Sequence, residues 1–89
     1  MIAPDAKPRM LRGVRLREDP ARGMLLLGPE RIYELDVIAA TILQRCTGEV
    51  DFAAMIDGLA ADFSADRAEV EADVTELLLA LRDKQLLAL

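Results

Sequence analysis

A chain of 89 residues makes a single domain, and at that size folding buries only about 60–65% of the surface that the unfolded chain exposes, so the core is modest. Three aromatic residues (Tyr33, Phe52, Phe63) and one cysteine (Cys46) argue against an aromatic ligand cage and exclude a disulfide framework. No apolar run approaches the roughly 20 residues that cross a bilayer, and Met1 to Pro8 lacks the apolar stretch of a signal peptide, so no membrane association and a cytoplasmic location are expected.

The net charge of −5 is unevenly placed. Residues 1–22 carry six bases against three acids, whereas residues 23–89 carry five bases against thirteen acids. A basic head therefore precedes an acidic body, and the two can meet different partners.

In chain order, residues 1–8 hold two prolines and few large apolar groups, and are expected as a flexible tail. Residues 9–89 are expected as one recognition domain. Arg9 to Glu18 alternates, with Met10, Val14 and Leu16 on one parity, which predicts a strand with one wet face. Asp19-Pro20-Ala21-Arg22-Gly23 supplies turn chemistry, because proline presets φ and glycine accepts positive φ. Met24 to Leu27 is a short apolar strand closed by Gly28-Pro29-Glu30, and Arg31 to Leu35 alternates again. Three sequential strands predict an antiparallel sheet.

The period changes at Asp36, a good N-cap. Leu35, Ala39, Ile42, Leu43 and Cys46 then share one helical face, and Gly48 stops the helix. Asp51 caps a second helix, with Phe52, Met55, Ile56, Leu59, Ala60 and Phe63 as its buried stripe. Asp66 and Glu69 open a third helix that runs to about Lys84, with Val70, Val74, Leu77, Leu78 and Leu81 facing the core. Leu79 lies opposite Val70 on this helix, and Ala72 and Leu86 sit seven residues to either side, which predicts a second apolar stripe. The fold class is α+β: a three-stranded antiparallel sheet followed by a three-helix bundle, resembling a winged helix-turn-helix.

Chemical equipment is sparse. Histidine is absent, which removes the commonest general base and metal ligand. Cys46 has no histidine to activate it, the glycines form no phosphate loop, and no metal-ligand spacing occurs. No catalysis, metal or cofactor is expected of this chain. A winged-helix regulator that binds nucleic acid is the alternative, disfavoured because residues 66–84 carry six acids against three bases, which phosphate would repel. An acidic carrier domain would need a serine for its prosthetic arm, and Ser64, the one serine, lacks the Asp-Ser-Leu setting.

Several short motifs occur in a shared order: Arg15-Leu16, Asp19, Arg22, Leu25-Leu26-Leu27-Gly28-Pro29-Glu30, Leu35-Asp36, Ala39, Ile42-Leu43, Gly48, Ile56, Leu59 and Asp73-Val74. Together they resemble the pyrroloquinoline quinone (PQQ) biosynthesis protein D family (PqqD), over nearly everything from Arg9 onward. The family usually has a glycine near the last turn, where this chain reads Lys84-Gln85-Leu86. The resemblance implies a peptide chaperone that binds the ribosomal precursor peptide of the quinone and presents it to a radical-SAM enzyme, which holds the iron–sulfur chemistry.

A sheet edge can accept an extended peptide as an added strand. The expected site is therefore Arg31, Ile32, Tyr33, Glu34 and Leu35 as the edge, with Thr75, Leu78, Leu79 and Arg82 of the third helix as the opposite wall. Proline at Tyr33 is expected to abolish binding. The same edges permit a homodimer, in which residues 9–27 pair between chains about a hinge at Asp19 to Gly23.

Overall fold

Eight elements follow from these local signals in a computed structural model that describes residues 1–89: β1 (Arg9–Met10), β2 (Arg15–Asp19), β3 (Gly23–Leu27), β4 (Ile32–Leu35), α1 (Val37–Gln44), α2 (Phe52–Phe63), α3 (Arg67–Asp83) and β5 (Leu87–Ala88). β2, β3 and β4 form the expected antiparallel sheet in that order, with β3 central. Asp19 closes the first turn, its carboxylate accepting from the Ala21 and Arg22 amides, and these bonds hold its pKa below the usual carboxylate value.

Each helix starts where its aspartate cap stands. Asp36, Asp51 and Asp66 accept from the amides of Ala39, Ala54 and Glu69, three residues on. The first helix ends sooner than its glycine stop suggests, with Arg45 as its C-cap, and Cys46 still reaches the core. Burial pushes the Cys46 thiol up to about 12. Arg45 pairs with Asp62, and Arg67 pairs with both Asp57 and Glu71, tying α1 to α2 and α2 to α3.

One core cluster joins the layers: Leu26 from the sheet, Ile42 and Leu43 from α1, Phe52, Met55, Ile56 and Leu59 from α2, and Val74, Leu78 and Leu81 from α3. Leu25 is also buried but lies outside this cluster, as its neighbour's opposite pleat requires, between Arg17 and Glu34 in register.

Three sequence-based expectations change. The single strand over Arg9 to Glu18 is interrupted: Gly13 takes φ +88°, the Val14 amide bonds back to the Leu11 carbonyl, and the two halves join different sheets. β1 pairs with β5 at the far end of the chain, a non-local partner that no short-range pattern announces. Second, residues 1–8, expected as a flexible tail, lie along the start of α2. The Ala53 and Phe52 amides donate to the carbonyls of Pro4 and Ala6, Gly48 donates to Pro8, and Ile2 is only 5% exposed within the core cluster. Third, the second stripe on α3 dissolves. Leu79 packs against the core cluster from its flank, and Leu86 lies beyond the helix end, itself buried.

The end of α3 explains the missing glycine. Lys84 is the C-cap and Gln85 takes φ +61°. The Leu86 amide bonds to the Leu81 carbonyl and the Gln85 amide to that of Arg82, the paired bonds of a Schellman turn. Glutamine accepts there the left-handed backbone that glycine adopts freely.

Candidate functional site

The free edge of β4 can be read group by group. In an antiparallel ladder, hydrogen-bonded and non-bonded pairs alternate, so successive residues direct their N–H and C=O groups to opposite sides of a strand. The Gly28 amide donates to the Arg31 carbonyl across the β3–β4 turn at 2.9 Å. The register then runs Leu27↔Ile32, Leu26↔Tyr33, Leu25↔Glu34 and Met24↔Leu35. Counting in steps of two from the Gly28–Arg31 pair, Tyr33 and Leu35 use their backbone groups on Leu26 and Met24. Ile32 and Glu34 direct theirs outward, to the side where no strand lies.

The side chains sort in the perpendicular direction. Tyr33 and Leu35 are half-buried and pack on the core, while Ile32, 56% exposed, and Glu34 face out. The opposite edge, β2, is guarded differently. Arg15, Arg17 and Glu18 are all exposed there, and edge charges of this kind discourage strand pairing. β4 is the edge open to an added strand.

Two hollows flank β4 at its ends. At the hairpin end a cleft of about 320 Å³ is lined by Gly28, Pro29, Glu30, Arg31, Tyr33, Lys84 and Leu86. A Cβ on Gly28 would stand 3.0 Å from Leu86 Cδ2, so the Leu86 side chain would have to give way. At the other end, where the chain enters α1, an apolar hollow of about 150 Å³ is lined by Ile38, Ile42, Leu59, Phe63, Ala65, Val70, Asp73 and Val74. Ile38 is 59% exposed and Phe63 43%, large apolar groups that water covers in the free protein.

α3 contributes to both hollows, through Val70, Asp73 and Val74 at its start and Lys84 just past its end. It thus reaches from beside the start of α1 to beside the β3–β4 turn. The lengths agree: eleven helical residues from Asp73 to Lys84 rise about 16 Å, and five extended residues from Arg31 to Asp36 span about 16 Å. The two hollows are separate, one between residues 28–33 and 84–86, the other among α1, α2 and the start of α3.

Helical geometry shows which α3 side chains share the side of Asp73 and Lys84. At about 100° per residue, Asp73, Leu77, Ala80 and Lys84 fall within about 60° of one another. Val74, Leu78 and Leu81 point to the core, and Leu78 has no exposure at all. Thr75, Leu79 and Arg82 fall about 160° around from the Asp73–Lys84 stripe. Their flank is shared by Glu71, which lines a separate hollow with Ile2 and Phe52.

Of the five edge residues expected from the sequence, Ile32 to Leu35 form the outer strand β4, Arg31 precedes it, and Arg31 and Tyr33 line the hairpin-end cleft. The structure places Thr75, Leu79 and Arg82 on the far flank of α3, and Leu78 in the core. The hollow-lining residues that sequence reasoning missed are Ile38, Phe63, Asp73 and Lys84. Val37-Ile38 off the core face of α1 was a legible signal. Val70 and Leu77 pack against the core cluster, as expected from the sequence.

Charge differs between the two hollows. Arg31 and Lys84 at the hairpin end are exposed and in no ion pair, with Glu30 the one carboxylate lining that cleft. The apolar end carries Asp73. No group of histidine, cysteine and carboxylate side chains is placed to hold a metal ion.

Comparison with known proteins gives a consistent result. Residues 23–87 match the family model described as coenzyme PQQ synthesis protein D (PqqD). A protein of Xanthomonas axonopodis pv. citri named PqqA binding protein is 47% identical over 89 residues, covering 99% of this chain and 97% of that one. The solution structure of the PqqD part of Methylobacterium extorquens PqqCD, described as a stand-alone recognition element for ribosomally synthesized and post-translationally modified peptides, is 34% identical. It superposes with a TM-score of 0.85 over 100% of this chain and 96% of its own. Lasso peptide synthetase B1, solved with a leader peptide, shares the fold at a TM-score of 0.80 and 22% identity, over 94% of this chain and 100% of that one.

Proposed function

This chain belongs to the coenzyme PQQ synthesis protein D family, and from that premise we propose that it binds the precursor peptide PqqA as an added strand on β4. The observation that carries the reading is the open β4 edge, with a cleft at its hairpin end and exposed apolar side chains where the chain enters α1. The N–H and C=O groups of Ile32 and Glu34 supply main-chain bonds that any extended peptide can meet. Register comes from the hollows, which accept particular side chains at particular distances along the strand.

The division of labour follows from what the chain contains. It has no histidine, and its one thiol is buried and protonated. On this reading it holds and presents the peptide, and the chemistry belongs to a partner. The family resemblance supports a radical-SAM enzyme as the receiver of the peptide, in the cytoplasm. No helix is long and apolar enough to cross a membrane. The nucleic-acid reading has little in its favour, since the exposed face of α3 presents Glu69, Asp73, Glu76 and Asp83. A homodimer through β2 would have to bring Arg15 and Arg17 of two chains together, and light scattering across concentration tests it.

Amide shifts on titrating PqqA into the labelled protein test the site. They are expected in residues 31–36 and along Val70, Asp73, Leu77, Ala80 and Lys84. Charge placed at Leu77 (Leu77→Glu) weakens binding, whereas Thr75→Glu on the far flank leaves it unchanged. Shifts confined to the Thr75, Leu79 and Arg82 flank would move the site elsewhere. Pull-down with PqqA and the radical-SAM enzyme, singly and together, tests the presentation step.

A further inference from the structure

Resting on the presentation reading above, we propose that the outer face of the sheet, at its hairpin end, docks the protein that receives the peptide. The occupant is an acidic protein surface that lays an apolar side chain on Leu27 and Ile32 and sets a carboxylate between Arg15 and Arg31.

The register defines this face. Residues directly opposite one another in an antiparallel sheet point to the same side, so Arg15, Leu27 and Ile32 form one row and Arg17, Leu25 and Glu34 the next. Leu16, Leu26 and Tyr33 point the other way, to the core cluster, which none of those six joins. The first row lines the largest hollow of the molecule, a cleft of about 750 Å³ between Gly13 to Arg15 and Leu27 to Ile32. Its floor is apolar, with Ile32 56% exposed, and its two cations, Arg15 and Arg31, stand against the single acid Glu30. Lack of an ion pair does not mark these arginines, because Lys7, Arg9, Arg12, Arg17 and Lys84 have none either. Position marks them: they share a concave surface with uncovered apolar side chains, where a carboxylate can meet two guanidinium groups at once.

Charge complementarity names the occupant. Residues 7–31 carry seven bases against three acids, and the rest of the chain four bases against thirteen. An acidic partner is repelled by the helical body and attracted to the segment that builds the sheet, so the field orients the encounter. A nucleic acid would meet the same cations but leave Leu27 and Ile32 uncovered.

The face is also continuous with the peptide edge. An extended strand added to β4 sends alternate side chains to the outer face, beside Ile32. A receiver seated on Leu27 and Ile32 therefore meets the displayed side chains while the main chain of the peptide stays bonded to β4.

The test uses the intact chain with PqqA and the radical-SAM enzyme, each binding step followed by fluorescence anisotropy. Arg15→Glu keeps the affinity for PqqA, because β2 lies across the sheet from the peptide edge. The same variant weakens binding of the enzyme about ten-fold at low salt, a loss that fades above about 0.1 M salt as screening sets in. Arg15→Gln gives a smaller loss in the same direction. Lys7→Glu, the same charge change outside the cleft, leaves the affinity for the enzyme unchanged. Equal enzyme binding by Arg15→Glu and the native chain, an equal loss from Lys7→Glu, or no enzyme binding at all overturns this inference while strand addition stands. Binding of duplex DNA at low salt that Arg15→Glu abolishes gives the cleft to nucleic acid and overturns it as well. Absence of PqqA binding by the native chain overturns the reading on which it rests, and with it this inference.

Discussion

Proline substitution at Glu34 separates strand addition from side-chain recognition. The register places the Glu34 amide on the open edge and the Tyr33 amide against Leu26. Proline removes a backbone donor, and an edge strand tolerates it where the lost N–H faced solvent. Glu34→Pro therefore leaves the fold in place and deletes one bond to the incoming peptide. The loss is the net value of a hydrogen bond plus the cost of leaving the peptide's carbonyl unpaired at the edge, together about 1–3 kcal/mol, or roughly 5- to 150-fold in Kd. Glu34→Ala keeps the amide and serves as the control, with little change. Tyr33→Pro breaks a bond inside the sheet and disorders the strand, so loss of binding there says nothing about the edge, contrary to the expectation from sequence. Fluorescence anisotropy with PqqA, beside circular dichroism to confirm the fold, measures all three. Equal affinity for Glu34→Pro and the native chain, with the fold intact, would refute strand addition at β4.

Further consequences concern stability. Gln85→Gly relieves the left-handed strain at the end of α3, about 1–2 kcal/mol, offset by up to about 1 kcal/mol from a freer unfolded chain; thermal melting should rise by a few degrees. Ile2→Ala costs about 2 kcal/mol in urea titration, because Ile2 is packed in the core cluster, whereas a mobile tail would give no change. Cys46 should resist thiol reagents at pH 8 until the protein unfolds. Its folded pKa is raised from 9.0 to about 12, so the folded state holds the proton more tightly than the unfolded one. Stability from this group is fully present below about pH 9 and declines as pH rises toward 12; a Cys46→Ala variant should lack that part of the decline.

Much of the fold and the candidate edge lie within reach of short-range pattern. Aspartate caps at positions 36, 51 and 66 place the helix starts to the residue, because capping is a contact between neighbours three apart. The three sheet strands and the edge at Arg31 to Leu35 follow from turn chemistry and alternation for the same reason. The β1–β5 pairing joins residues nearly eighty positions apart, and the docking of Ile2 depends on a surface made by other elements. Neither leaves a local mark. The α3 lining of the hollows belongs to this second kind. Periodicity distinguishes the core face of α3 from the rest, but the two flanks beside that face are equivalent until something packs against one of them. Placing the β3–β4 turn beside Lys84, the start of α1 beside Asp73, and the N-terminal segment beside Glu71 breaks that equivalence. Sequence determined that an edge strand and an amphipathic helix exist; only the packing of distant segments decided which side of the helix lines the hollows.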